Sequence, residues 1–154
     1  VAVTYQINTA ISPEQFIELL NKCGLGARRP IDNYYVIKGM LDNADLLITA
    51  WSDKRTVKEV VSEATDGNPK ELIGVARCVS DFSYCCYLSE LAVAENYHRQ
   101  GIGKLMIKKI EQQLPPSCQI ILLSAPQASD AVNKTSYPKI GFAKHDNAWV
   151  KVVS

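Results

Sequence analysis

Leu91-Ala92-Val93-Ala94-Glu95-Asn96-Tyr97-His98-Arg99-Gln100-Gly101-Ile102-Gly103-Lys104 carries an apolar strand pattern into a glycine-paired turn that opens a lysine-rich helix. Backbone N–H groups in the first turn of a helix have no intrahelical partner and carry the positive end of the helix dipole, so this arrangement is an anion cradle. Gly101 and Gly103 present no Cβ and let the backbone approach a ligand closely. Two familiar phosphate loops are excluded by spacing. A P-loop needs four residues between its first glycine and Gly-Lys-Ser/Thr, whereas one residue separates the glycines here and Leu105 follows Lys104. A dinucleotide fingerprint needs a third glycine where Met106 stands.

With those loops set aside, His98-Arg99-Gln100-Gly101-Ile102-Gly103 resembles the Gln/Arg-x-x-Gly-x-Gly/Ala pyrophosphate loop of the GNAT superfamily of N-acetyltransferases. Leu72-Ile73-Gly74-Val75-Ala76-Arg77 is similar to that family's third strand, Tyr87 to Val93 to its fourth, and Ser136-Tyr137-Pro138-Lys139-Ile140-Gly141-Phe142 to its C-terminal segment. Arg29-Pro30 and Leu47-Ile48-Thr49-Ala50-Trp51 look like its N-terminal half, which extends the resemblance along the chain. The resemblance implies an α/β fold in which a mixed sheet of six to seven strands is flanked by about four helices. It implies a single domain over 1–154 with an inserted segment at about 53–70.

Composition bounds the rest. The 154 residues suit one domain, and 47% hydrophobic with 21% charged residues is ordinary for a globular protein. A net charge of +1 argues against nucleic acid as the main partner. Arg99, Lys104, Lys108 and Lys109 nevertheless fall in an acid-free stretch, concentrating positive potential at the glycine turn; Lys108 or Lys109 is expected to be only solvated. No apolar run is long enough to span a membrane. The five cysteines form no Cys-x-x-Cys pair and there are only two histidines, so no metal site is expected and free thiols point to the cytoplasm, or an organelle matrix.

Along the chain, Val3–Asn8 reads as a strand and Ser12-Pro13-Glu14-Gln15 as a helix start, with the helix stopping at Gly24. Asp32–Asn43 reads as a second helix, Asp45–Trp51 as a strand, and residues 57–64 as a helix within the insertion. Strands over Glu71–Val79 and Tyr84–Val93 precede a helix over Gly101–Leu114 that buries Leu105, Met106, Ile110 and Leu114. Ile120–Leu123 reads as a strand covered on both faces, Ser129–Ser136 as a short helix, and Phe142–His145 with Ala148–Val153 as a hairpin.

The resemblance implies acetyl transfer from acetyl-CoA, as cosubstrate, directly to a primary amine, either a small molecule or a peptide, by a monomer or homodimer without a metal. The alternative is a catalytically silent CoA-binding sensor on the same fold. Leu91, Ala92 and Val93 are the implied pantetheine-binding residues, on a fourth strand that splays from the fifth just after them. Arg99, Gln100, Gly101, Ile102, Gly103 and Lys104 are the implied pyrophosphate donors. His98 occupies the family's Gln or Arg position and either contacts the pyrophosphate, with a mild pH sensitivity, or packs under the loop. Tyr137 matches the tyrosine that protonates the departing thiolate, and Asn133 or Asp130 the residue that holds the pantetheine amides. Glu90, the only acid on its strand, is assigned to amine binding or base catalysis, against a structural hydrogen bond to a neighbouring loop. The acceptor is expected near Arg28, Arg29, Asp32, Asp81 and Trp149.

Overall fold

The computed structural model describes residues 2–53, 70–124 and 137–154, and five strands and four α-helices lie among them. The chain divides into two compact units, Val1–Leu122 and Leu123–Ser154. In chain order the first unit holds β1 (Val3–Ile7), α1 (Pro13–Lys22), α2 (Tyr34–Asp42), β2 (Leu46–Ser52), β3 (Glu71–Ser80), β4 (Cys85–Val93), α3 (Ile102–Gln113) and β5 (Gln119–Ile121). The second holds the single turn α4 (Tyr137–Lys139). This is the mixed α/β architecture expected, with five strands among the described residues rather than six or seven.

Local chemistry starts each helix where the sequence places it. The Ser12 hydroxyl accepts the Gln15 N–H at 3.1 Å while the Gln15 side chain accepts the Ser12 N–H at 2.9 Å. This reciprocal cap contributes about 1 kcal/mol and fixes the entry of α1. Phe16, Leu19 and Leu20 then share one buried stripe. The Asn33 side chain caps α2 by accepting the Val36 N–H at 3.3 Å.

The strands pair in chain order, β1-β2-β3-β4-β5, antiparallel throughout except for the parallel β4–β5 joint. Burial on both faces belongs to β3, at the centre of the sheet, where Leu72 to Cys78 are continuously buried. It does not belong to the 120–123 run: β5 is a three-residue outer strand, and Ile121 and Leu123 are exposed. In α3 the row Ile102, Met106, Ile110 with Ile107 faces the core. Leu105 lies roughly 100° around the helix from that row and is exposed, while Leu114 is the half-buried C-cap.

The expected hairpin over 142–153 is not formed, and those residues carry no strand. A lone two-stranded hairpin is marginal in water, and the short run Phe142–His145 with its Lys and His offers little apolar face to hold one. The expected helices at 57–64 and 129–136 lie outside the described residues.

Candidate active site and coenzyme cradle

The turn between β4 and α3 needs two left-handed residues, Arg99 (φ +62°) and Gly101 (φ +77°). Gly101 is the N-cap of α3, and no side chain caps the helix there. Because the first α-helical bond runs from the Leu105 N–H to the Gly101 carbonyl, the N–H groups of Ile102, Gly103 and Lys104 have no intrahelical partner. Arg99, Gln100 and Lys104 are exposed around them. Gly103 seats this end of α3 on β4: a Cβ there would lie 3.8 Å from Leu91 Cδ2 and 3.9 Å from Val93 Cγ2. These groups suit a polyanion, combining uncapped donors, flanking cations and a backbone without side chains in front of it.

The other half of the cradle is a strand edge. The Ala94 N–H bonds the Ile73 carbonyl at 2.9 Å, and Val93 stands opposite Gly74. By the alternation of an antiparallel ladder, Leu91 and Val93 therefore turn their N–H and C=O groups to the edge away from β3. Pairing with β5 ends at Tyr87↔Ile121. The strands thus part four residues before Leu91, earlier than the resemblance implies, because β5 is only three residues long. His98 lies at the far end of this edge, where its Nε2–H donates to the Val93 carbonyl at 2.6 Å. The exposed imidazole ties the glycine turn to the strand. Lys108 is exposed, as expected, and the Lys109 ammonium lies 5.3 Å from the centre of the Tyr5 ring.

On the opposite face of β4 from α3 stands a buried charge cluster. A bulge at Ser89 sets Arg77 opposite Glu90 and Cys78 opposite Leu88. The Glu90 side chain is 0% exposed; its Oε1 accepts from Arg29 Nε at 2.7 Å, Arg77 Nη2 at 3.1 Å and the Ser89 hydroxyl at 3.1 Å. Its Oε2 accepts from Arg77 Nε at 2.5 Å. Arg29 Nη2 also donates to the Ser89 carbonyl at 2.8 Å, and Arg77 Nη1 to the Met40 carbonyl at 3.3 Å. One carboxylate thus ties β3, β4 and the loop after α1 together, and Arg77 extends the cluster to α2. This is the geometry of the structural hydrogen bond to a neighbouring loop.

Asp81, grouped with the acceptor region from sequence, instead holds the β3–β4 turn: its Oδ1 accepts the N–H groups of Ser83, Tyr84 and Cys85, which depress its pKa. Arg28, Arg29 and Asp32 do share the α1–α2 connection. In the second unit, Tyr137 stacks edge-on against Phe142 with centroids 5.9 Å apart, and burial raises its phenol pKa. Asn133 and Asp130 lie outside the described residues. Sequence reasoning passed over Arg77 and the buried Tyr97, whose hydroxyl donates to Ser52 at 3.0 Å. The available signal for Arg77 was a lone charge inside an otherwise apolar strand, facing a strand with a single acid.

The site is thus a parted β4–β5 joint beside an uncapped, glycine-opened helix. The family model described as Acetyltransferase (GNAT) family matches residues 15–142, so the chain belongs to that family of acetyltransferases. No curated protein sequence matches it at a significant level. Among solved structures, the chain is similar to a GNAT family protein of Streptococcus pneumoniae TIGR4, with a TM-score of 0.67, 18% identity and coverage of 97% of this chain and 98% of that one. An aminoglycoside acetyltransferase from an uncultured soil metagenomic sample aligns over 100% of both chains at TM-score 0.61 and 16% identity. The aminoglycoside acetyltransferase AAC(6')-Iy, bound to a CoA bisubstrate analogue, gives TM-score 0.64 and 14% identity over 100% of this chain and 99% of that one. At these identities the likenesses show the fold. Among the described residues, no helix is long and apolar enough to cross a membrane.

Proposed function

We propose that this protein is an acetyl-CoA-dependent N-acetyltransferase of the cytoplasm that moves the acetyl group directly to a primary amine within a ternary complex. The observation that carries this reading is the junction itself, where the free N–H groups of Ile102, Gly103 and Lys104 adjoin the open β4 edge at Leu91 and Val93. Acetyl-CoA supplies an activated thioester carbonyl and a thiolate leaving group. Ile102 to Lys104, with Arg99, bind the pyrophosphate; Leu91 and Val93 orient the pantetheine arm, and a Leu91 N–H polarises the thioester oxygen.

In the transfer, the amine nitrogen bonds the thioester carbon, the C–S bond breaks, and the amine proton passes to solvent. Tyr137 donates its phenolic proton to the departing thiolate and regains one from solvent; its burial-raised pKa keeps the phenol protonated at neutral pH. Glu90 serves as an anchor for the acceptor side, since its oxygens are already engaged by two arginines and a serine. That engagement is also what favours the second reading, a silent CoA-binding module, because no other acid stands on β4. The two aminoglycoside-acetylating relatives support an amine acceptor.

The test is CoA release from acetyl-CoA across a panel of amines, run beside calorimetric binding of CoA and ATP. Amine-dependent release supports the enzyme. CoA binding without release on any amine favours the sensor, and tighter ATP than CoA binding refutes both.

A further inference from the structure

The buried cluster on β4 does not balance. Arg29 and Arg77 contribute two guanidinium charges, permanent at any physiological pH, against the single carboxylate of Glu90. Among the described residues neither arginine forms an ion pair with another acid; Glu95, exposed on the turn after β4, makes none. The excess charge is held where water reaches poorly, with Glu90 at 0%, Arg77 at 8% and Arg29 at 20% side-chain exposure. The carbonyls of Arg28, Met40 and Ser89 meet part of it as dipoles, and a second anion would complete the balance.

The donors are also unequally used. Arg77 Nη2 meets both Ser89 and Glu90, and its Nε and Nη1 are engaged as well. Arg29 spends Nε on Glu90, Nη1 on the Arg28 carbonyl and Nη2 on the Ser89 carbonyl, so two of its five N–H groups have no partner in these bonds. Arg29 is the member with the largest accessible fraction, and Arg28 beside it is exposed.

Position gives this charge a use. The glycine turn lies on the α3 face of β4, and Glu90 with Arg29 on the other, so the two flank the strand edge at Leu91. Ser89, which Arg29 grips, is two residues from Leu91, roughly 7 Å along the strand. We infer that Arg29 binds a carboxylate on the acceptor, so that this acetyltransferase takes an amine bearing an acidic group rather than a polycation. The inference rests on the proposed function and narrows its substrate class. A guanidinium fork matches a carboxylate with two parallel hydrogen bonds, and the same positive charge repels an acceptor carrying several ammonium groups.

The experiment compares CoA release, with acetyl-CoA saturating, for glycine, β-alanine and 4-aminobutyrate against ethylamine, putrescine and kanamycin. A short peptide with a free N-terminus and an acidic second residue separates a free amino acid from a chain end as the source of the carboxylate. Carboxylated amines are expected to have the higher kcat/KM. Arg29→Gln is expected to raise their KM roughly ten- to a hundredfold, the loss of one or two charge-assisted hydrogen bonds, with ethylamine changed far less. Wild-type preference for putrescine or kanamycin overturns the inference and leaves the acetyltransferase standing.

Where no amine releases CoA, the enzyme reading fails. Calorimetric titration of the CoA-saturated protein with the same amino carboxylates then decides the site: binding weakened in Arg29→Gln retains it, and no binding to the wild type overturns it. Because Arg29 also grips Glu90, Arg29→Lys serves where Arg29→Gln does not fold. It keeps the charge without the fork, so an unchanged KM for every carboxylated amine counts against the inference.

Discussion

Glu90→Gln separates an anchor from a base. The substitution keeps the shape of the side chain and removes its charge, leaving Arg29 and Arg77 without their anion in a site where the carboxylate is 0% exposed. Removing one partner of a buried ion pair costs about 3–5 kcal/mol; the one-fifth exposure of Arg29 admits solvent, which places the expected loss near 3 kcal/mol. For a chain of this size that lowers Tm by about 6–12 °C. Thermal unfolding followed by circular dichroism, with and without CoA, reads it directly. Arg77→Gln is expected to destabilise by a similar amount, and the double variant by clearly less than the two together, because both break one network. A residue acting only as general base behaves in the opposite way: turnover falls about 10²–10⁴-fold while Tm stays put. Glu90→Gln with wild-type Tm and a hundredfold slower transfer would therefore refute the anchor assignment.

Gly103→Val should fold, since its Cβ meets Leu91 and Val93 at ordinary contact distance, yet its two methyls press further onto β4 and shift the first turn of α3 with its free N–H groups; calorimetry should show CoA affinity reduced at least tenfold. Tyr137→Phe should slow transfer at pH 7 by up to ~10²-fold with unchanged CoA affinity. Burial raises this phenol's pKa, so it remains a donor through pH 9, and the variant's deficit should shrink as pH rises because the thiolate then leaves unprotonated. Of five free thiols, Cys78 and Cys86 are buried and Cys23, Cys85 and Cys118 are half-buried, so an Ellman titration should find three reacting in the native protein and the rest only on denaturation. Those three set the blank for any thiol-release assay.

What could be read from sequence was whatever a few neighbouring residues decide. Ser12 and Gln15 cap their helix by contacts three residues apart, and the spacing of Gly101 and Gly103 is visible without any tertiary knowledge. The strand read over Tyr84–Val93 likewise forms as β4, with Cys86, Leu88, Glu90 and Ala92 buried in alternation. What could not be read depends on distant partners. Glu90 meets Arg29 across 61 positions and Arg77 across 13, so its surroundings follow from sheet register and from the bulge at Ser89. The three-residue length of β5 is also tertiary: Ile120 to Leu123 is apolar enough for a longer strand, yet its ladder stops at Ile121. His98 was legible as a donor but not as one aimed at Val93, five residues behind it.

The parting of β4 from β5 also bears on how the protein behaves without its coenzyme. Beyond Tyr87 β5 no longer reaches the strand, and the Leu91 N–H and C=O and the Val93 N–H stay on its open edge, a short template on which another extended chain could dock as an added strand. A pantetheine arm lying there would be a surrogate strand made of small-molecule amides. Occupancy of the cradle then does double service: it raises the apparent Tm by mass action, and it closes an edge through which the empty protein would self-associate. Light scattering on concentrated samples should accordingly rise on standing without CoA and stay flat with it.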